Sequence, residues 1–137
     1  MRKNKCKKPV MEVVAYLSTT GPVWETEMRE KKQEAYIREY AKANNIDIVG
    51  IMHRKGMGQR EVNRHFNKIV KLIFQKRVAG VIIVNTSAIS PNIPDAYYKI
   101  GKIKAVGGVI ITVDEGSLGM EVKCVEEVID EEIFQNI

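Results

Sequence analysis

The sequence has few cysteines and no long apolar segment, the features that are typical of secreted and of membrane-inserted proteins. It contains two cysteines, Cys6 and Cys124, and their separation is not the spacing of a metal site. Two thiols in such a chain are expected to be free rather than bridged. The longest apolar runs, such as 80-GVIIV-84 and 108-GVIIT-112, are far too short to cross a bilayer. No apolar signal-peptide segment follows the basic N-terminus, which favours a cytoplasmic protein without a membrane partner.

Motifs for metals and cofactors are also missing. The two histidines, His53 and His65, form no recognisable metal-binding motif with Cys, Asp or Glu. The loop 56-GMG-58 lacks the longer glycine spacing and the Lys-Ser/Thr ending of a phosphate-binding loop. We therefore expect no metal ion and no cofactor.

Charge is distributed unevenly along the chain. Residues 1–113 contain 21 Lys and Arg against 9 Asp and Glu, whereas residues 114–137 contain one Lys against 8 acids. A body this basic predicts a polyanionic partner, nucleic acid first. The same lysines are also typical of ordinary solvated helix faces, so charge alone leaves both interpretations open.

The apolar pattern predicts an α/β fold. Four short apolar runs, at about 10–17, 46–52, 78–84 and 109–113, alternate with helical patterns at about 25–44, 60–76, 94–104 and 120–134. Uniformly apolar strands are typical of sheets that are covered on both faces. We therefore predict a three-layer domain with a mainly parallel four-stranded sheet and helices on both faces.

Helical spacing predicts which side of each helix is buried. The first helix is expected to bury Met28, Ala35, Tyr36, Tyr40 and Ala43, and the second Val62, Phe66, Ile69, Val70, Ile73 and Phe74. In domain terms, residues 1–9 are predicted to be a basic, flexible N-terminus and 10–116 the α/β domain. Residues 117–137 are predicted to form an acidic helix that packs either on its own domain or, as a dimerisation element, on a second copy.

Two hydroxyl-rich loops mark the candidate site. The first, 18-STTG-21, follows the first strand, and the second, 85-NTSAISPN-92, follows the third. In an open parallel sheet, ligands bind beyond the carboxyl ends of the strands where the strand order reverses. The loops are side by side if the first and third strands are neighbours. Ser18 is then either a nucleophile or part of a hydroxyl-rich turn that leads into the next helix.

The order of these segments resembles the catalytic domain of serine recombinases, the resolvases and invertases. The likeness covers about residues 10–133 and is clearest in 38-REYAKANNIDIV-49 and 78-VAGVIIVNTSAIS-90. In that family, a serine after the first strand attacks a DNA phosphate and forms a covalent protein–DNA intermediate. Arginines around it stabilise the transition state, because planar guanidinium groups match phosphate oxygens.

Several positions depart from the family's pattern. The family reads Tyr-x-Arg-x-Ser-Thr after the first strand; here Tyr16 matches, and Ser18 stands where the arginine belongs unless two residues are deleted. The acid after the second strand is replaced by His53, and the next arginine by Asn63, with Arg64 beside it. After the third strand, the family's Asp-Arg-Leu-Ser-Arg-Asn is replaced by 87-SAISPN-92, which retains the serine at Ser90.

The missing arginines predict lost catalysis. Removing one donor to a developing oxyanion typically lowers the rate by ~10²–10³. If the chain is active, the resemblance implies Ser18 as nucleophile, with Tyr16, Arg64 and Ser90 in the site. Around the loop at residues 56–58, a set of basic residues is expected to contact DNA phosphates: Arg54, Lys55, Arg60 and Arg64.

The sequence therefore predicts a resolvase-like domain linked to DNA recombination and to mobile-element integration, but catalytically degenerate. It would act by binding DNA, a second copy of itself, or a related recombinase. One alternative is an active serine recombinase that forms a phosphoserine–DNA intermediate through Ser18. Another is a small-ligand or anion-binding module, which requires a closed pocket between the Ser18 and Ser90 loops.

Overall fold

The computed structural model describes residues 11–19 and 21–114. Four strands form one sheet: β1 (Met11–Leu17), β2 (Ile46–His53), β3 (Gly80–Ile83) and β4 (Val109–Thr112). Their order is β2-β1-β3-β4, and every pair is parallel. The predicted four-stranded parallel sheet is confirmed, and the first and third strands are neighbours in it.

Helices connect the strands: α1 (Val23–Ala43), α2 (Gln59–Phe74) and α3 (Ile93–Ala105). A short 3₁₀ turn (Thr86–Ala88) lies between β3 and α3. Asn92 caps α3 by accepting a hydrogen bond from the Asp95 amide, and Pro94 stands in the first helical turn, where its missing N–H costs nothing. The predicted helix at 120–134 and the proposed segments at 1–9 and 117–137 lie outside the described residues.

The sheet separates two apolar clusters, as the prediction of helices on both faces requires. Along β1, Val14 and Tyr16 point into the cluster formed with α2 and α3, whereas Val13, Ala15 and Leu17 point into the cluster formed with α1. Alternate side chains of a strand point to opposite faces, so β1 contributes to both cores at once. This is why the strand reads as uniformly apolar.

The predicted inner stripe of α1 was wrong except for Tyr40, which packs partly buried against the cluster on the α1 side of the sheet. Met28 and Tyr36 are 58% and 47% exposed, while the buried residues of α1 include Thr26, Glu30 and Ile37. An apolar stripe suits a helix that packs on the sheet along its whole length. The first turns of α1 instead lie over the carboxyl ends of the strands, where the surroundings are polar. The inward face of α1 is therefore polar near the candidate site and apolar further along.

The predicted face of α2 is largely confirmed. Val62, Phe66, Ile69 and Ile73 are buried and Val70 is partly buried. Phe74 is the exception, with 69% of its surface exposed. It is the last residue of α2, where the chain turns away toward β3.

Candidate functional site at the carboxyl end of the sheet

Ser18 follows β1 directly and is held by α1. The Gln33 side-chain amide binds both backbone groups of Ser18: its Oε1 accepts from the Ser18 N–H at 3.0 Å, and its Nε2 donates to the Ser18 carbonyl at 3.0 Å. Ser18 is only 6% exposed. The neighbouring Thr19 hydroxyl is buried and has no hydrogen-bond partner among the described residues. Gln33 thus fixes the chain at the first predicted hydroxyl loop.

Arg54 is the basic residue that reaches Ser18. Its Nη1 donates to Ser18 Oγ at 3.4 Å, and its backbone N–H extends the strand pairing by donating to the Leu17 carbonyl at 2.8 Å. The Arg54 Nε donates to the Met57 carbonyl. Arg54 was predicted to contact DNA phosphates, and its guanidinium lies next to the candidate nucleophile.

The turn after β2 has a left-handed backbone. Lys55 and Gly56 have φ values of 56° and 76°, and the Met57 amide donates to the Arg54 carbonyl at 3.1 Å. Two positive φ values in succession are typical of a type I′ turn, and glycine accommodates the second without strain. This turn sets the direction in which the Arg54 side chain leaves the backbone.

A buried carboxylate supports the same turn. Glu30 of α1 is 3% exposed; its Oε2 accepts from the Lys55 N–H at 3.0 Å, and its Oε1 lies 3.3 Å from His53 Nδ1. A buried carboxylate requires such partners, because desolvation of the charge is otherwise costly. Glu30 therefore ties α1 to the end of β2 and is occupied by structural contacts.

Tyr16 and His65 form a second, partly buried pair. The Tyr16 hydroxyl lies 2.9 Å from His65 Nδ1, and His65 Nε2 lies 3.5 Å from Glu61. Burial raises the pKa of the Tyr16 phenol far above its ordinary value, so the hydroxyl stays protonated and donates to Nδ1. Burial also lowers the pKa of His65, against an opposing pull from Glu61. The neutral imidazole is therefore the favoured form.

The Ser90 loop serves local structure. Ser90 is 3% exposed, and its Oγ lies 3.2 Å from the Asn92 carbonyl and 3.3 Å from the Asn92 amide. No hydrogen bond joins Ser90 to Ser18 within 11–19 and 21–114. The loop is linked to α2 through Gln59 Nε2, which donates to the Ile89 carbonyl at 2.8 Å. The loop follows β3, which is a neighbour of β1, but the two serines do not form a joint cluster.

The other predicted basic residues face solvent. Arg64 pairs with Glu61 at 3.3 Å on the outside of α2, and 72% of its side chain is exposed. Lys55 and Arg60 are also exposed. Of the four residues predicted to contact phosphate, only Arg54 is directed inward.

Two cavities flank the turn after β2. One, of about 320 Å³, lies against the polar face of α1 and is lined by residues that include Glu30 and His53. The other, of about 370 Å³, is lined by residues that include Arg54, Lys55 and His65. Neither is lined by Ser18 or Ser90, so neither is the closed pocket that the small-ligand alternative requires.

Within residues 11–19 and 21–114, there is neither a metal-binding cluster nor a helix that could cross a membrane. No group of three His, Cys, Asp or Glu side chains is placed to hold a metal ion there. None of these helices is both long enough and apolar enough to span a bilayer.

Sequence reasoning missed Gln33 and Glu30. A signal for both was present, since Thr26, Glu30, Gln33, Ile37 and Ala41 recur every three or four residues and therefore share one helix face. An analysis of apolar residues alone passes over that face, because its first three members are polar.

Solved structures provide the comparison for this fold. No protein-family model matches the chain. No curated protein matches it either. A resolvase family site-specific recombinase from Streptococcus pneumoniae superposes with a TM-score of 0.66, with 19% identity over 92% of both chains.

Two further structures agree. The N-terminal catalytic domain of TP901-1 integrase gives a TM-score of 0.66 and 14% identity over 90% of this chain and 97% of that one. The C-terminal catalytic domain of ISC1926 TnpA, an IS607-like serine recombinase, gives a TM-score of 0.60 and 16% identity over 86% of this chain and 80% of that one. The chain has the fold of a serine recombinase catalytic domain. The resolvase-like fold accounts for the strand order and for the position of Ser18 directly after β1.

Proposed function

We propose that this resolvase-like domain serves DNA recombination by binding rather than by cleaving DNA. The observation that carries the proposal is the environment of Ser18. The Arg54 guanidinium contacts its hydroxyl, at the long distance of 3.4 Å. A phosphoryl transition state spreads charge over several oxygens, and a single donor neutralises only part of it.

Activation of the hydroxyl is also unsupported. A serine nucleophile needs a base within hydrogen-bond reach, at about 2.6–3.2 Å. In the described part of the chain, Ser18 Oγ has no carboxylate or imidazole partner. The candidate base groups at this end of the sheet, Glu30 and His53, bind each other. Burial of Ser18 further restricts access of a DNA phosphate to the hydroxyl.

The proposed partners are DNA and, through protein contacts, a second copy or a related recombinase. On one face of the sheet, α2 and α3 together carry seven Lys and Arg against two acids, whereas α1 on the other face is balanced with five of each. The positive potential is therefore concentrated on one side of the sheet, which favours a polyanion over a neutral ligand.

The test is a cleavage and binding experiment on supercoiled plasmid DNA. The purified chain and a Ser18→Ala variant are incubated with plasmid, denatured in detergent and examined for nicked DNA and for protein-linked DNA. A resolvase with its own site serves as the positive control. We expect neither product, and equal affinity of both proteins for duplex DNA at low salt.

The active-recombinase alternative is favoured by one contact, that between Arg54 and Ser18. It makes the opposite forecast in the same experiment. A covalent adduct that disappears in Ser18→Ala would establish cleavage and refute the degenerate assignment. Absence of any DNA affinity at low salt would refute the DNA-binding assignment and leave protein partners.

A further inference from the structure

Four cations form one exposed face of α2. Arg60, Arg64, Lys68 and Lys71 are all exposed and are spaced by four, four and three residues. At 100° per residue, these positions lie within about 80° of one another on the helix surface. We call them the α2 cationic stripe. The buried residues Val62, Phe66, Ile69 and Ile73 lie on the opposite side of the helix, so the stripe is directed away from the core.

Within the described part of the chain, Glu61 is the acid that forms a salt bridge with the stripe. Glu61 is the one acidic residue in 54–77, and it contacts Arg64 and His65 at the edge of the stripe. Among residues 11–19 and 21–114, Arg60, Lys68 and Lys71 form no salt bridge. A phosphate can replace Glu61 as the partner of Arg64, because that ion pair is exposed.

The stripe leads to the candidate site. Lys68 lines the same cavity of about 370 Å³ as Arg54 and Lys55. Arg54 in turn contacts Ser18 Oγ. Positive side chains therefore continue from the outer face of α2 to the end of β1, and a polyanion bound along α2 would reach the turn after β2.

We propose that the α2 cationic stripe binds the phosphate backbone of duplex DNA and directs it toward the turn formed by Arg54 and Lys55. The inference rests on the proposed DNA-binding function and assigns it to one surface. From Arg60 to Lys71 the helix rises by about 16 Å, which matches about five base pairs of duplex. Contacts to phosphates alone carry no sequence information, so this surface positions the DNA without selecting a site.

The test compares two matched triple variants of the full chain. The α2 variant carries Arg64→Gln, Lys68→Gln and Lys71→Gln, and the α1 variant carries Arg38→Gln, Lys32→Gln and Lys42→Gln. Each removes three exposed positive charges, of which one belongs to an arginine paired with a glutamate of its own helix. Net charge is therefore the same in both. Circular dichroism establishes that both remain folded.

Affinity for a random-sequence duplex is measured against salt concentration. Each lost phosphate contact lowers the slope of log K against log salt by about 0.9, so the α2 variant should lose about 2 to 3 in slope. The α1 variant should retain the wild-type slope to within one contact. Arg60 is left in place to keep residual binding measurable.

The outcomes separate this inference from the proposed function. If both triple variants weaken binding equally, net charge alone attracts DNA and the stripe is not the surface. If the wild type binds no duplex at all, the DNA-binding function itself fails. If single-stranded RNA displaces the duplex at lower concentration than duplex DNA does, the assignment to duplex DNA is overturned.

Discussion

His65 lies where a change in its charge would act directly on the buried Tyr16 hydroxyl. Its Nδ1 accepts from the Tyr16 hydroxyl, and only 19% of its side chain is exposed. Protonation would set two donors against each other, because Nδ1 would then carry a proton that faces the Tyr16 hydroxyl. Burial lowers the pKa of His65 in the folded chain for the same reason that buried cations are disfavoured in general.

This arrangement predicts a stability that depends on pH. Because the folded-state pKa of His65 is depressed, the unfolded chain binds the proton first as the pH falls. The contribution of the neutral imidazole is therefore full above the ordinary pKa of about 6.5 and is lost as the pH falls through the folded-state pKa. Urea unfolding measures the free energy of unfolding at about pH 7 and about pH 5. The decrease between these two pH values should be smaller for His65→Gln than for the wild type.

A direct measurement checks the cause. An NMR titration of the His65 ring protons should give a midpoint below that of a histidine in the unfolded chain. A midpoint at or above about 6.5 would show that the pairing with Glu61 outweighs burial, and the predicted pH dependence would then reverse its sign.

At the scale of elements, α1 joins the two halves of the site. Its inward face carries Thr26, Glu30 and Gln33 at the site end, and Ile37 and Ala41 over the sheet. Gln33 binds the strand end at Ser18, and Glu30 binds the turn after β2 at Lys55. The helix thereby fixes the relative position of Ser18 and Arg54.

Replacing Gln33 by alanine should destabilise the domain. The variant leaves the Ser18 N–H and carbonyl without partners in a buried position, at a cost of about 1–3 kcal/mol. Lys32→Ala changes the exposed neighbouring residue and should alter stability by less than about 0.5 kcal/mol. Urea unfolding measures both. Equal stability of the two variants would mean that water replaces Gln33 at no cost.

The elements show how far the sequence alone can be interpreted. Each strand and helix within 11–114 was predicted to within a few residues, because apolar runs and turn residues act locally. The inward face of α1 was not predicted correctly, because Met28 and Tyr36 are apolar and were assigned to the core, yet they face solvent. Glu30 and Gln33 are buried because other segments supply their partners. The role of Arg54 beside Ser18 depends likewise on a left-handed turn that is visible only in three dimensions.

At the scale of the whole molecule, the sheet separates two apolar cores and contributes side chains to both. α1 covers one face with a balanced set of charges, and α2 and α3 cover the other with an excess of cations. The strand order β2-β1-β3-β4 places the candidate site on β1 and β2, away from β4. DNA binding on the α2 side would therefore leave the outer surface of α1 free, where Trp24 and Met28 are exposed.

The sheet depends on the close approach of β3 to its neighbouring strands at Gly80. Gly80 pairs with Val13 on one side and Val109 on the other, and a Cβ added there would lie 2.0 Å from the Val109 carbonyl oxygen. Backbone atoms cannot move aside as a flexible side chain can. Gly80→Ala should therefore cost about 1–3 kcal/mol or more, and it should weaken both cores together because the strands must separate.

Gly101 provides the matched control. It lies within α3 on an exposed face, and a Cβ there would meet nothing within 4 Å. The same substitution should thus stabilise the domain by about 0.5–1 kcal/mol, since alanine loses less backbone entropy in a helix. Urea unfolding of both variants tests the pair. A Gly80→Ala variant as stable as the wild type would mean that β3 and β4 do not pair with Gly80 opposite Val109, and the strand order that positions the site would fall with that register.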